Sequence, residues 1–135
     1  MSASKIPILL IEDDENDIFF LERALEKAGI PFSLHTAVTG QEALDYLGGV
    51  GKFSDRSRHP LPSFVFLDLK MPQLSGFEML VWMRAHPDLK DIPVVVLTSS
   101  GEERDRQRAI EFGVKAYLVK PPTADMMLEA VRLCK

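Results

Sequence analysis

The sequence predicts an α/β domain in which five parallel strands form one sheet with helices on both faces. Three observations carry that expectation. Segments Ile6–Ile11, Phe64–Leu67 and 92–97 are apolar throughout rather than alternating, the pattern of strands buried on both sides. Stretches with helical spacing separate the strand-like segments, so strand and helix alternate five times. The chain of 135 residues, 46% hydrophobic and 27% charged, has the size and apolar content of one domain. Residues 1–135 are expected to be that single domain, with no output module attached.

The elements follow in order. Ile6–Ile11 is a buried strand that ends in Glu12-Asp13-Asp14. Ile18, Leu21, Leu25 and Ala28 then mark one face of a helix, which Gly29 and Pro31 stop. Residues 32–38 read as a shorter strand of mixed pattern, and 41–47 as a short helix with Ala43, Leu44 and Leu47 inward. Residues 48–62 are punctuated by Gly and Pro and rich in charge, which predicts a plain surface loop. The central strand runs through Phe64–Leu67 and delivers Asp68 to the point where Pro72 forbids a continuing ladder. Residues 77–85 form a helix with Leu80 and Met83 on its core stripe. Strand 92–97 ends in Thr98-Ser99-Ser100-Gly101. A highly charged helix over 102–112 carries Ala109, Ile110 and Phe112, and Gly113 ends it. Strand 115–119 stops at Lys120-Pro121-Pro122. Thr123 caps the last helix, with Ala124, Met127, Val131 and Cys134 on one side.

Bulk properties exclude several classes. A net charge of −4 argues against a nucleic-acid surface. No apolar run approaches the roughly 20 residues that cross a bilayer, and the N-terminus lacks a signal-peptide pattern. The one cysteine, Cys134, has no internal partner or metal-ligand neighbours, which fits a reduced, cytoplasmic setting.

The chemistry gathers where buried strands stop. In open parallel sheets, sites lie just beyond the carboxyl ends of the strands. Here those ends carry Glu12 and Asp13, Asp68, Thr98 with Ser99, and Lys120. Neighbouring strands lie about 4.8 Å apart, so these groups converge. Three crowded carboxylates repel one another unless a hard divalent cation such as Mg²⁺ sits among them. Lys120 is a compact positive charge suited to a phosphoryl oxygen or to Asp68 itself, and Thr98 offers a hydroxyl. The reaction that wants this set is phosphoryl transfer to a carboxylate, with Asp68 as nucleophile. Each residue also has an ordinary reading. Acids after a strand cap the next helix, a role that suits Asp14 and Asp17 better than Glu12 and Asp13, and a Lys-Pro pair simply stops a strand. The joint arrival of these groups on neighbouring strand ends is what gives the pattern its specificity.

Across essentially its whole length the sequence resembles the receiver domains of two-component response regulators. The matching residues are Glu12-Asp13, Asp68-Leu69-Lys70-Met71-Pro72 with Gly76, Thr98-Ser99, Tyr117 and Lys120-Pro121. The resemblance implies a flavodoxin-like fold with strand order 2-1-3-4-5. It implies that Asp68 accepts a phosphoryl group from the phosphohistidine of a sensor histidine kinase or phosphotransfer protein. Asp13, Asp68 and the backbone carbonyl of Lys70 would bind Mg²⁺, with Glu12 acting through water, while Thr98 and Lys120 would hold phosphoryl oxygens. Thr98, with Ser99 beside it, would move toward the phosphoryl group and Tyr117 would swing inward, changing the face made by the fourth helix, fifth strand and last helix. Arg104, Arg106, Arg108 and Lys115 make that region strongly charged. The acidic run 12–17 and the loop 48–62 look like the small stand-alone regulators that partner phytochrome-type kinases, a subtype that often forms homodimers through the switch face. Lys70 departs from the Asn common in that subtype. Such a protein is not an enzyme beyond its own phosphorylation and dephosphorylation.

Two other readings compete. A phosphatase of the haloacid-dehalogenase type wants a second Asp two residues after the nucleophile, where this chain has Lys70. A pseudo-receiver that binds partners without taking phosphate is opposed by the intact set of Glu12, Asp13, Asp68, Thr98 and Lys120.

Overall fold

A computed structural model describes residues 5–71 and 75–134. Five strands alternate with five helices: β1 (Ile6–Ile11), α1 (Glu15–Lys27), β2 (Phe32–Ala37), α2 (Gly40–Gly48), β3 (Phe64–Leu67), α3 (Gly76–Arg84), β4 (Val94–Thr98), α4 (Glu103–Glu111), β5 (Ala116–Val119) and α5 (Ala124–Cys134). The strands form one all-parallel sheet in the order β2-β1-β3-β4-β5. This is the flavodoxin-like order that the family resemblance implies, with the chain reversing its direction of winding between β1 and β3.

The apolar strands divide their side chains between two cores by the period-two alternation of a pleated strand. Leu9, Ile11, Val65, Leu67, Val94 and Val96 point to one face, under α2, α3 and α4. Ile8, Leu10, Phe64, Phe66, Val95 and Leu97 point to the other, under α1 and α5. Each fully buried side chain of this size contributes about 1.5–3 kcal/mol.

The helices start where their caps say they should. Asp14 accepts from the amides of Asn16 and Asp17 and begins α1. Ser75 and Glu78 form a reciprocal capping box at α3. Thr123 Oγ1 accepts from the Met126 amide at α5, as predicted. Gly76 matters for a different reason. A Cβ there would lie 2.8 Å from Leu69 Cα and 3.0 Å from the Asp68 carbonyl oxygen. Only glycine lets α3 pack directly against the backbone that carries Asp68. Pro72, to which the sequence reading gave the strand stop, lies outside the described residues.

The segment from 48 to 62 is more than a plain surface loop. A short 3₁₀ turn, Gly51–Phe53, buries Phe53 in the core. Arg56 donates to the carbonyls of Tyr46 and Leu47 at the end of α2 and to that of His59. The Tyr46 hydroxyl donates to the Pro60 carbonyl at 2.9 Å. The charge that made the segment look too polar to bury belongs partly to Arg56, whose guanidinium donates to the Leu47 carbonyl and adds a second donor to the Tyr46 carbonyl, which already accepts from the Gly49 amide.

Candidate functional site

The ladder brings the strand ends together one residue past the strands themselves. The Asp68 amide donates to the Ile11 carbonyl at 3.1 Å, which sets Asp68 beside Glu12. The Lys120 amide donates to the Thr98 carbonyl at 2.9 Å. Glu12, Asp68 and Thr98 are buried, whereas Asp13 is exposed at the rim.

Lys120 is the electrostatic centre. Its Nζ lies 2.5 Å from Glu12 Oε1, 2.8 Å from Asp17 Oδ2 and 3.3 Å from Asp68 Oδ2. Burial alone would lower the pKa of its ammonium. The hydrogen bonds to Asp17 and Glu12 and the charge of Asp68 outweigh that and hold it above the usual lysine value. Glu12 shows the opposite balance. Burial pushes its carboxyl up to about 7, against the lowering effect of Lys120 and with further repulsion from Asp68. Its second oxygen accepts from the amides of Asp13 and Asp14.

Carboxylate oxygens of Glu12, Asp13 and Asp68 all lie within 4.8 Å of one another. One ammonium among four acids leaves net negative charge in a partly buried site. Hard oxygen donors at this spacing fit a divalent cation such as Mg²⁺, with Asp13 on the open side where waters can complete its shell. Lys70 places its backbone against the site, its amide donating to Asp68 Oδ1 at 3.1 Å, while its side chain is exposed.

The remaining predicted residues lie at the end of β4, in the turn after it and on β5. Thr98 is fully buried and its Oγ1 accepts from the Ser100 amide at 3.4 Å. Ser99 is exposed. Tyr117 is half-buried on β5, and its hydroxyl already donates to the Ser100 carbonyl at 2.7 Å. The structure adds Asp17, which the sequence reading assigned to capping α1. Asp14 performs that capping, and Asp17 reaches Lys120 instead.

Comparison with known proteins agrees with this geometry. A family model described as the response regulator receiver domain matches residues 8–132. Response regulator Rcp1 of Synechocystis is 36% identical over 113 residues, covering 84% of this chain and 75% of Rcp1. Its Mn(2+)-bound crystal form superposes with a TM-score of 0.77 at 33% identity, covering 93% of this chain and 88% of that one. The bacteriophytochrome response regulator AtBRR is 39% identical with a TM-score of 0.85, covering 98% and 94% of the two chains. The phosphorylated cyanobacterial phytochrome response regulator RcpA gives 0.78 at 32% identity, covering 96% and 90%.

Proposed function

This chain belongs to the response regulator receiver family, and from that premise we propose that it is a phosphorylation switch with Asp68 as its phosphoacceptor. The observation that carries the reading is the contact of Lys120 with Asp68, Glu12 and Asp17 beside a carboxylate cluster fit for Mg²⁺. In the proposed reaction Asp68 Oδ attacks the phosphorus of a phosphohistidine. The P–O bond forms as the P–N bond breaks, and the imidazole leaves with the electron pair. Lys120 and the Thr98 hydroxyl hold the equatorial oxygens. Asp13, Asp68 and the Lys70 carbonyl would hold Mg²⁺, with Glu12 through water, and the ion would supply neutralisation of the phosphoryl charge. Thr98, Ser99 and Tyr117 form the segment that reports the modification.

The similarity to the phytochrome response regulators AtBRR and RcpA, and to Rcp1 with Mn(2+) bound, supports a partner kinase of phytochrome type and a divalent cation. A docking surface for that kinase adjoins the site. Phe19 and Phe20 are exposed on α1, and a groove of about 340 Å³ between Phe20, Arg23, Lys27, Pro121 and Pro122 lies next to Lys120. Aromatic and basic groups on one side of the acceptor suit an amphipathic helix with acidic flanks. We place the protein in the cytoplasm as a single receiver domain, with the α4–β5–α5 face available for a homodimer. No described helix is long and apolar enough to cross a membrane.

Incubation with acetyl phosphate and Mg²⁺ followed by intact-mass measurement tests the reading. One phosphoryl adduct that is absent when Mg²⁺ is chelated is expected. No adduct at all would favour the pseudo-receiver, and continuous release of phosphate from varied monoesters would favour a phosphatase.

A further inference from the structure

Among the described residues four buried side chains are polar: Glu12, Asp68, Thr98 and Ser100. Three of them belong to the strand-end site. Ser100 does not, and it is buried between exposed Ser99 and exposed Gly101. A hydroxyl withdrawn from water in an otherwise solvated turn needs partners to offset its desolvation.

Its partners are what make it informative, because they join three parts of the molecule. The Ser100 amide donates to Thr98 Oγ1. The Ser100 carbonyl accepts from the Tyr117 hydroxyl on β5. The Ser100 hydroxyl donates to Asp105 Oδ2 in the first turn of α4 at 2.8 Å and accepts from the Glu102 amide at 3.4 Å. Glu102 is the N-cap of α4, yet its own side chain makes no capping bond. The Ser100 hydroxyl instead ties the N-cap residue to the first turn, bonding the Glu102 amide on one side and the Asp105 carboxylate on the other. At its other end α4 is tied to α3, where the Arg108 guanidinium lies 4.1 Å from the centre of the Phe77 ring.

We propose that Ser100 is the positioning residue that transmits the state of the phosphoacceptor site to α4, through its hydroxyl bond to Asp105. The proposal rests on the function given above, in which Thr98 responds to phosphorylation of Asp68. Any displacement of Thr98 moves the backbone two residues on, and the Ser100–Asp105 bond makes the first turn of α4 follow. Tyr117 is held at the same residue, so β5 and α4 respond together rather than independently. The hydroxyl bonds are the only contacts of this hub that a substitution at Ser100 removes. The contacts to Thr98 and Tyr117 use the backbone and survive in Ser100→Ala.

The test is hydrogen exchange of the α4 amides before and after phosphorylation with acetyl phosphate and Mg²⁺, with phosphoryl occupancy read by intact mass. The wild-type chain should change its α4 exchange on phosphorylation. Ser100→Ala and Asp105→Ala should each reduce that change by about two- to tenfold, the range expected for one hydrogen bond, while taking up the phosphoryl group to wild-type extent. Ser100→Thr, which keeps the hydroxyl, should restore it. A merely structural role would instead raise exchange equally in both states and leave the difference intact. A full α4 response in phosphorylated Ser100→Ala overturns the proposal and leaves the acceptor function standing. A wild-type chain that takes no phosphoryl group overturns the acceptor function and the coupling together.

Discussion

Replacing Lys120 with Met should destabilise the protein in a way that depends on pH and on Mg²⁺. Met keeps most of the length and apolar stem of Lys but removes the charge that Glu12, Asp17 and Asp68 share. The side chains of Glu12 and Asp68 are only 3% and 8% exposed, so they cannot regain full hydration when the ammonium goes. Asp17, at 32%, largely can. Breaking a buried ion pair from one side costs about 3–5 kcal/mol, and the lower end applies here because one of three partners escapes to water. About 3 kcal/mol corresponds to a fall in Tm of about 10 °C for a domain of this size.

Protonation sets the pH dependence. The Glu12 carboxyl is already raised above its unfolded value, to about 7, so the native state binds more protons than the unfolded state between about pH 4.5 and 7. Stability from this group therefore falls as pH rises through that window. Losing the Lys120 hydrogen bond removes a lowering influence and moves the Glu12 value further up, which extends the loss to higher pH. Lys120 itself stays charged in both states from pH 5.5 to 8 and contributes no slope there. The deficit of Lys120→Met, followed by thermal unfolding, should thus be larger at pH 8 than at pH 5.5, and millimolar Mg²⁺ should recover part of it by restoring positive charge. Equal deficits at both pH values, or no deficit, would refute the electrostatic account of the site.

Three further outcomes are expected. Gly76→Ala should cost about 1–3 kcal/mol, because its Cβ would press on backbone atoms of Asp68 and Leu69 rather than on a flexible side chain; an unchanged unfolding midpoint in urea would contradict the close approach. Mg²⁺ affinity, measured by titration calorimetry, should fall about tenfold from pH 8 to pH 6 as protons compete for Glu12, and Glu12→Gln should flatten that dependence. Lys70→Asn should shorten the lifetime of the phosphorylated protein by about two- to fivefold, the scale of a solvent-exposed charge interaction; an unchanged lifetime would remove Lys70 from any part in dephosphorylation.

What could be read from the sequence was set by how local its physical cause is. A strand buried on both faces writes itself as an apolar run, so β1, β3 and β4 and the groups at their ends were legible, and adjacency of the strands then brought Glu12, Asp68, Thr98 and Lys120 together. Asp17 was not legible, because an acid in the first turn of a helix looks like a dipole partner until the rotation of α1 against the end of β5 is known. Arg56 was hidden for a similar reason. Its targets are backbone carbonyls of α2, which leave no mark on residue identity, so a pinned segment looked like an ordinary loop. Ser100 sits next to two recognisable residues, yet its importance depends on where Asp105 and the Tyr117 hydroxyl lie in space. The family resemblance supplied Tyr117 as a moving part, and the structure finds its hydroxyl already bonded to the Ser100 carbonyl.

The central claim is that one carboxylate, Asp68, takes the phosphoryl group, and chemical trapping tests it most directly. Borohydride reduces an aspartyl phosphate to homoserine, so protein treated with acetyl phosphate and Mg²⁺ can be reduced, digested and mapped by mass spectrometry. Homoserine at position 68, absent in Asp68→Asn and absent without Mg²⁺, is the predicted result. Homoserine at another acid, or none anywhere in a folded and metal-loaded protein, would contradict the account.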